Sequence, residues 1–478
     1  MKRTVLTALA PIFFTCGTLL FSPDISAAQA LDAAKEVTST AADRDEIAVT
    51  VYNNNLALIK ERRHMSLAGG TTRLDLRDVA AQLRPETALL RSIDGAPIRL
   101  LEQNFDFDLL TPANLLRKAV GHEVTVVQRA AQGVAEKRER ATVLADNEGA
   151  VFRFADRVES NPAGTIEFDG VPPELRERPT LSVLLDGEGG KRKVELSYLS
   201  SGMSWSADYV ANLSKSTLDL DGWVTVTNGS GAPFENATVQ FVAGNVHTNA
   251  RITRMMEAKA MPAASMAGAE MPSEEALMDF HLYTFDRKTT IANNQTKQLA
   301  LLSAAEVPFR REYVLQGYDW GYRDRTGDSP KLKPTVFLSF ENKGGSLGKP
   351  LPAGVVRVYT QDSKGAAQFV GEDRIGHTAK NETVRLNIGE AFDITAERNQ
   401  TAFHKVAKNV VESSWRVDLR NAKEEAVTVS VREPISGDWE ILEESDRHTK
   451  PSAHEARWDI EIPAGAAKAL TYTARVTY

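Results

Sequence analysis

The sequence predicts an all-β, multi-domain protein, and three observations carry that expectation. Short runs alternate apolar and polar residues with a period of two from Ile47 to the end of the chain, the pattern of half-buried strands. Asn, Gly and Pro punctuate these runs at the spacings of sandwiches and barrels. Only one stretch, Pro112 to Val120, has helical character. No repeat of fixed period marks a propeller or a solenoid.

The first thirty residues are expected to be a secretory signal peptide and not part of the fold. Lys2 and Arg3 form a basic start, Val5 to Phe21 is mostly apolar, and Ala28-Gln29-Ala30 offers a small-x-small cleavage site. The apolar run, broken by Pro11, is short for a membrane span of about 20 residues. Cys16 is the only cysteine and lies inside this segment behind Phe13-Phe14-Thr15, a context unlike that of a lipidated cysteine. The exported chain then has no thiol for a disulfide or a thiolate metal site, and a periplasmic location is expected. The formal charge is −7, and loss of Lys2, Arg3 and Asp24 makes it one unit more negative. That balance argues against nucleic acid as a partner. No later stretch has the length of a transmembrane helix.

Even without residues 1–30, a chain of 478 residues is too long for one core and implies two or three domains. Residues 31–45 are rich in Ala, Thr and Asp and are expected to be a flexible leader. An N-terminal β domain is expected over residues 46–188. Leu74-Asp-Leu76, Val124-Thr-Val126, Val151 to Phe154 and Thr165 to Phe168 are its short alternating runs. Its one helix starts at Pro112, with Thr111 as the cap and Gly121 as the stop.

Residues 189–478 are expected to form immunoglobulin-like β-sandwich regions, with a further boundary near residue 340. The clearest strands lie between Val194 and Val246. Val194, Leu196 and Tyr198 share a face; so do Trp205, Ala207, Tyr209, Ala211 and Leu213. Leu218, Leu220, Val224 and Val226 follow, then Val239, Phe241 and Ala243. One apolar and one polar side per strand is the signature of antiparallel sandwich sheets. Asn228-Gly-Ser-Gly231 is a turn cluster. Residues 251–278 change composition sharply, hold six of the nine methionines and are expected to be a disordered insert without a strand. Strands resume at His281 to Phe285, with later runs at Val336 to Phe340, Val355 to Tyr359, Val384 to Ile388, Trp415 to Leu419, Val427 to Val431 and Leu470 to Tyr478.

Several residues carry a family resemblance: Leu196-Ser-Tyr198, Trp205, Asp208-Tyr209, Gly222-Trp-Val-Thr225, Asn228 and Ala243-Gly244. Phe369 to His377 and Gly389-Glu-Ala-Phe-Asp393 extend it. From Val194 to the C-terminus the chain resembles the bacterial family called domain of unknown function 4139, and more distantly the mucoidy-inhibitor-like proteins. Val51-Tyr-Asn53 and Leu101 to Phe105 look like the preceding region of the periplasmic members. Ser206-Ala207 stands where the mucoidy-inhibitor branch often has Pro after the tryptophan, and that branch's coiled-coil helices are missing. The resemblance implies architecture and no mechanism.

Candidate chemistry is sparse. Met256, Met261, Met266 and Met271 recur every five residues, flanked by Met255 and Met278; thioethers suit Cu(I), yet no Met-x-x-Met spacing or histidine accompanies them. Glu372, Asp373, Arg374, His377, Glu382 and Asp393 suggest a metal or acid–base group, although alternation puts Asp373 opposite Glu372 and Arg374. Ser204 and Ser206 only half match a nucleophile elbow, and nothing orients His247 as a base. Asp106 and Asp108 are too few oxygens for calcium. Trp205 and Trp223 read as core or cross-strand aromatics. Tyr318-Asp-Trp-Gly-Tyr322 reads as a loop of exposed aromatics, the preferred place for a contact surface.

No catalytic, cofactor-binding or metal-ligating residue is therefore assigned, and no cofactor is expected. The expected role is binding or scaffolding in the cell envelope, with another envelope protein or a glycan as partner. A hydrolase built from distant loops and an outer-membrane β-barrel are the alternatives.

Overall fold

The structure, a computed structural model, describes residues 35–94, 97–106, 108–128, 137–147, 149–172, 174–244, 246–247, 271–327 and 330–478. The expected signal and most of the methionine-rich segment lie outside the described residues. Among the described residues the strands, numbered β1 to β30 in chain order, form five sheets. The alternation of the sequence is thus realised almost everywhere as strand.

A four-stranded sheet runs β1 (Lys35–Ser39), β4 (Gly70–Arg77), β12 (Thr180–Gly187), β6 (Ile98–Asp106). A seven-stranded sheet runs β17 (Ser273–Leu277), β18 (Phe280–Ile291), β16 (Phe234–Ala243), β2 (Arg44–Tyr52), β3 (Leu56–Leu67), β13 (Gly190–Ser200), β5 (Leu89–Ser92). Strands from both sides of residue 188 therefore share this sheet.

The largest sheet runs β22 (Ala367–Ile375), β21 (Gly354–Gln361), β14 (Met203–Leu213), β15 (Thr217–Asn228), β19 (Gln295–Gln316), β26 (Val427–Pro434), β29 (Glu455–Ile462), β28 (Thr449–Ser452). From it β20 (Thr335–Glu341) branches off β19 and carries β23 (Thr383–Glu390). A second four-stranded sheet runs β24 (Ile394–Ala407), β25 (Val410–Asn421), β30 (Ala467–Thr477), β27 (Asp438–Glu444). A five-stranded sheet runs β10 (Val158–Ser160), β9 (Ala150–Arg153), β8 (Lys137–Asp146), β7 (Glu123–Gln128), β11 (Thr165–Glu167). Among the described strands each sheet ends in edge strands, and none closes into a barrel.

Three hydrophobic cores hold these sheets. The largest joins residues from Ile47 to Leu386 and contains the faces expected from phase: Val194, Leu196, Tyr198, Trp205, Tyr209, Val224 and Phe241 are all buried. Trp205 packs on Phe241 at 5.4 Å between ring centres. Trp223 sits on the opposite, half-buried side of its strand. A second core, from Tyr313 to Val476, lies between the β26–β29 part of the largest sheet and the β24–β27 sheet. The third is small, built on Val124, Val126, Val143, Phe152 and Phe154. It belongs to an excursion between β6 and β12, which pair with each other. Helix α1 (Pro112–Lys118) lies there as expected, capped by the Thr111 hydroxyl, which accepts the Asn114 N–H at 3.2 Å. On that unit's surface Arg157 and Lys137 hydrogen-bond Glu139 and pull its carboxyl down to about 2.

Two further expectations change. Residues 35–43 are no loose leader: β1 pairs in parallel with β4, and a 3-10 turn, Ala41–Asp43, follows. The segment is held by charge. Arg63, itself fully buried, donates to the Ser39 and Arg77 carbonyls at 3.1 and 2.9 Å and to Glu61 at 2.8 Å. Arg44 closes on the other Glu61 oxygen at 2.6 Å. Asp78 accepts the Ala41 N–H at 2.9 Å and pairs with Arg178. Burial alone would raise the Asp78 carboxyl, but Arg178 and the Ala41 N–H outweigh it, and the group titrates below its ordinary value. The second change is at Ser273–Leu277, inside the expected insert, which forms β17 against β18.

A recurrent device links the sheets. Asn228, Asn342 and Asn421 are buried, each at or just after the end of a strand. The Asn228 amide donates to the carbonyls of Ala232, Ile291 and Ala292 at 2.9, 3.3 and 3.1 Å. Asn421 donates to Glu425, Ile462 and Pro463 at 2.8, 3.2 and 3.1 Å. Asn342 donates to Lys349 and Ala379 at 2.7 and 3.0 Å. The strand after each turn then pairs in parallel with an upstream strand: β16 with β2, β21 with β14, β26 with β19. A side-chain amide here gathers the carbonyls where the strand end and its turn meet. Asn421→Ala is expected to cost about 1–3 kcal/mol by taking the buried amide from the Glu425, Ile462 and Pro463 carbonyls, read as a lower urea midpoint at unchanged slope.

Candidate functional site

The long strand β19 lies parallel to β26 over Tyr313 to Gln316 and then leaves the sheet. Gly317 makes the exit: its N–H donates to the Arg432 carbonyl at 2.8 Å, and a Cβ there would sit 2.0 Å from a Glu433 oxygen. A 3-10 turn follows, Asp319–Tyr322. The sequence treats the aromatics of this segment as one exposed set, and the structure divides them. Tyr318 is 43% and Trp320 62% exposed, whereas Tyr322 is fully buried.

Tyr322 is the anchor. Its hydroxyl donates to Glu433 at 3.0 Å and lies 2.8 Å from the Tyr472 hydroxyl. Glu433 in turn takes a two-pronged pair from Arg398, Nε at 2.8 Å and Nη2 at 2.9 Å. Arg398 stacks on Trp415 at 3.5 Å, and Trp458 stacks on Tyr472 at 4.5 Å. Burial alone would lower the Arg398 guanidinium, but the Glu433 carboxylate raises it further, so it stays charged. Burial pushes the Tyr322 and Tyr472 hydroxyls well up, so they stay protonated. The network is a neutral, fully wired cluster inside the second core.

The turn is also pinned from outside. The Gln400 amide donates to the Gly321 and Asp324 carbonyls at 3.1 and 3.2 Å and accepts the Thr326 N–H at 3.0 Å. Asp319 accepts the Ser436 N–H at 2.8 Å. Gly321 packs so closely on Trp415 that a Cβ would stand 2.9 Å from its ring. On this base the Tyr318 and Trp320 rings stack 5.9 Å apart at 28°. Arg323 lies over the Tyr478 ring at 4.8 Å and 3.8 Å from Asp319. The result is a rigid aromatic step facing solvent, bordered by charged side chains.

The other sequence candidates do not converge. Glu372 pairs with Arg357 at 3.3 Å. Asp373 accepts the Asn387 N–H at 2.7 Å, and Glu382 accepts the Ala379 N–H at 2.9 Å. His377 accepts the Ala353 N–H at 3.2 Å. Each serves its own turn or strand. Asp106 takes Arg176 and Ser182, and Asp108 takes Lys118 at 2.8 Å. Ser204 and Ser206 lie along β14 in the ladder with β15, opposite Thr227 and Thr225. Met255, Met256, Met261 and Met266 lie outside the described residues; Met278 is 90% exposed. Among the described residues no group of three His, Cys, Asp or Glu is placed to hold a metal ion. No described helix is long and apolar enough to cross a membrane.

One concavity was not foreseen. A cavity of about 230 Å³ opens between β18, β19 and the segment after β20, lined by Leu301, Leu302, Leu347 and Leu351 with Glu274 and Lys349 among its polar groups. Its Tyr283 hydroxyl donates to the Pro350 carbonyl at 2.8 Å, and Glu274 holds His281 at 2.8 Å. These lining groups come from four separate stretches, which leaves no local motif to read.

The sequence missed Glu433 and Arg398, although a signal existed. Both continue the inward phase of their strands, Val427-Val429-Val431-Glu433 and Ile394-Ala396-Arg398. A charge on the apolar phase is the mark of a buried pair.

Residues 194–478 match the model of the family described as Domain of unknown function (DUF4139). The match covers more than half of the chain, and the chain belongs to that family. No curated protein matches it.

Proposed function

We propose that this member of the family is an exported, periplasmic protein that acts by binding, with the Tyr318–Trp320 turn as its contact surface. One observation carries the reading: a 62% exposed indole stands on a backbone locked by a buried ion pair and two tyrosines. Large aromatics held rigid at a surface lose little entropy on contact and dominate binding energy. The basic and apolar stretch at Lys2 to Phe21 supports export. The partner is a component of the cell envelope.

The test is a photo-crosslinking residue in place of Tyr318 in living cells, followed by osmotic shock. The expected result is a mature chain starting near Leu31 in the shock fluid and a cross-linked adduct that disappears in the Trp320→Ala background. A crosslinker at Phe392, 82% exposed elsewhere on the surface, should give none. Absence of any adduct from position 318 defeats the reading.

A further inference from the structure

We infer that the turn's ligand is a neutral glycan, one of whose hexopyranose rings stacks on Trp320. The inference rests on the turn being the contact surface, and the size and surroundings of the aromatic step carry it further. A protein partner needs an apolar contact core within roughly 800 Å² per side. Here the exposed rings are Tyr318 and Trp320, with Tyr478 joined through Arg323. Asp319 and Arg323 stand beside them, 3.8 Å apart, and the exposed Asp324 and Arg325 follow in the chain. An apolar area one or two rings wide, bordered by the Asp319–Arg323 pair, is the scale of a sugar ring.

The chemistry fits as well. One face of a pyranose is a row of weakly positive C–H groups, which suits the negative face of an indole. Its rim is hydroxyl, and hydroxyls are both donors and acceptors. Carboxylates accept from them, and guanidiniums donate to them in fixed directions. Two acids beside two arginines give no net charge for a polyanion, which disfavours nucleic acid or an acidic polysaccharide. The preset geometry matters most for a weak ligand of this kind. Gln400, the Asp319 carboxylate and Tyr322 hold the turn before anything binds.

Native gel electrophoresis through dextran, hydroxyethylcellulose, galactomannan and glycol chitin tests this directly. At least one polysaccharide should retard the full chain. Trp320→Ala should weaken retardation at least tenfold and Trp320→Phe only in part, while Phe392→Ala should leave it unchanged. Trp320 is exposed, so its alanine variant should melt with the parent; Tyr318→Ala, expected to weaken retardation too, is the second probe should it not. No retardation in any gel, or retardation of Trp320→Ala and Tyr318→Ala equal to that of the parent, overturns the glycan. A Trp320-dependent adduct to an envelope protein without retardation would sink the glycan and leave the contact surface standing.

Discussion

Glu433→Ala is expected to remove about 3–5 kcal/mol of stability, the usual cost of leaving one half of a buried ion pair behind. Arg398 is 3% exposed and cannot reach water without opening the core between β24 and β26. Tyr322 would lose its carboxylate acceptor in the same step and keep only the Tyr472 hydroxyl. Against a total of about 5–15 kcal/mol for a domain, such a loss leaves the C-terminal unit near its midpoint in mild denaturant. Urea unfolding followed by tryptophan emission should show it, since Trp415, Trp439 and Trp458 all lie in that core. The double variant Arg398→Met with Glu433→Leu is the informative control. Removing both charges together should recover most of the loss, because the penalty comes from the orphaned charge and not from absence of the pair. If the double variant is as unstable as Glu433→Ala, packing and not charge explains the site. The double variant should also bind less well, because Tyr322 then loses the acceptor that fixes the turn below Trp320.

How far the sequence discloses this protein depends on what each strand touches. From Val194 to Val246 both faces are legible, because one side meets core and the other water, and Val194, Leu196, Tyr198, Tyr209 and Phe241 are buried as their phase requires. The strand Lys35–Ser39 is illegible for the opposite reason. Its backbone pairs with β4, but of its side chains only Val37 and Ser39 are drawn inward. Ser273–Leu277 is an acidic edge strand whose residues are largely exposed, so pairing alone defines it; charge on an edge also discourages a further strand from adding there.

The aromatic turn was half legible. Tyr318, Trp320 and Tyr322 read together as the exposed aromatics of one loop. A 3-10 turn divides them, sending Tyr322 into the core and the other two to solvent. Nothing local in the pentapeptide signals the split. Its cause is Glu433, more than a hundred positions away in the chain, whose carboxylate needs the Tyr322 donor.

The same logic, a charge on an inward phase, makes Glu61→Ala the second large expected effect. On β3 the buried positions run Ala57, Ile59, Glu61, Arg63, Met65, Leu67, so an acid and a base stand in the middle of an apolar face. Glu61 is shared: one oxygen takes Arg63 and the other takes Arg44. Its removal leaves Arg63 with only the Ser39 and Arg77 carbonyls, and the expected loss is again about 3–5 kcal/mol. The two sites differ in what fails first. Glu433 wires the interior of one unit, whereas Glu61 ties the segment 35–44 to β3 and β4 through Arg44 and Arg63. Glu61→Ala should therefore release β1 at denaturant concentrations where the rest still holds, because among the described strands β1 has only β4 as a ladder partner. Hydrogen exchange reads this directly: amides of Lys35 to Ser39 should lose protection while those of Val194 to Tyr198 keep it. Glu61→Gln, which retains an acceptor for Arg63, should lose less. Loss of protection across β3 and β13 together with β1 would show instead that the pair supports the whole seven-stranded sheet.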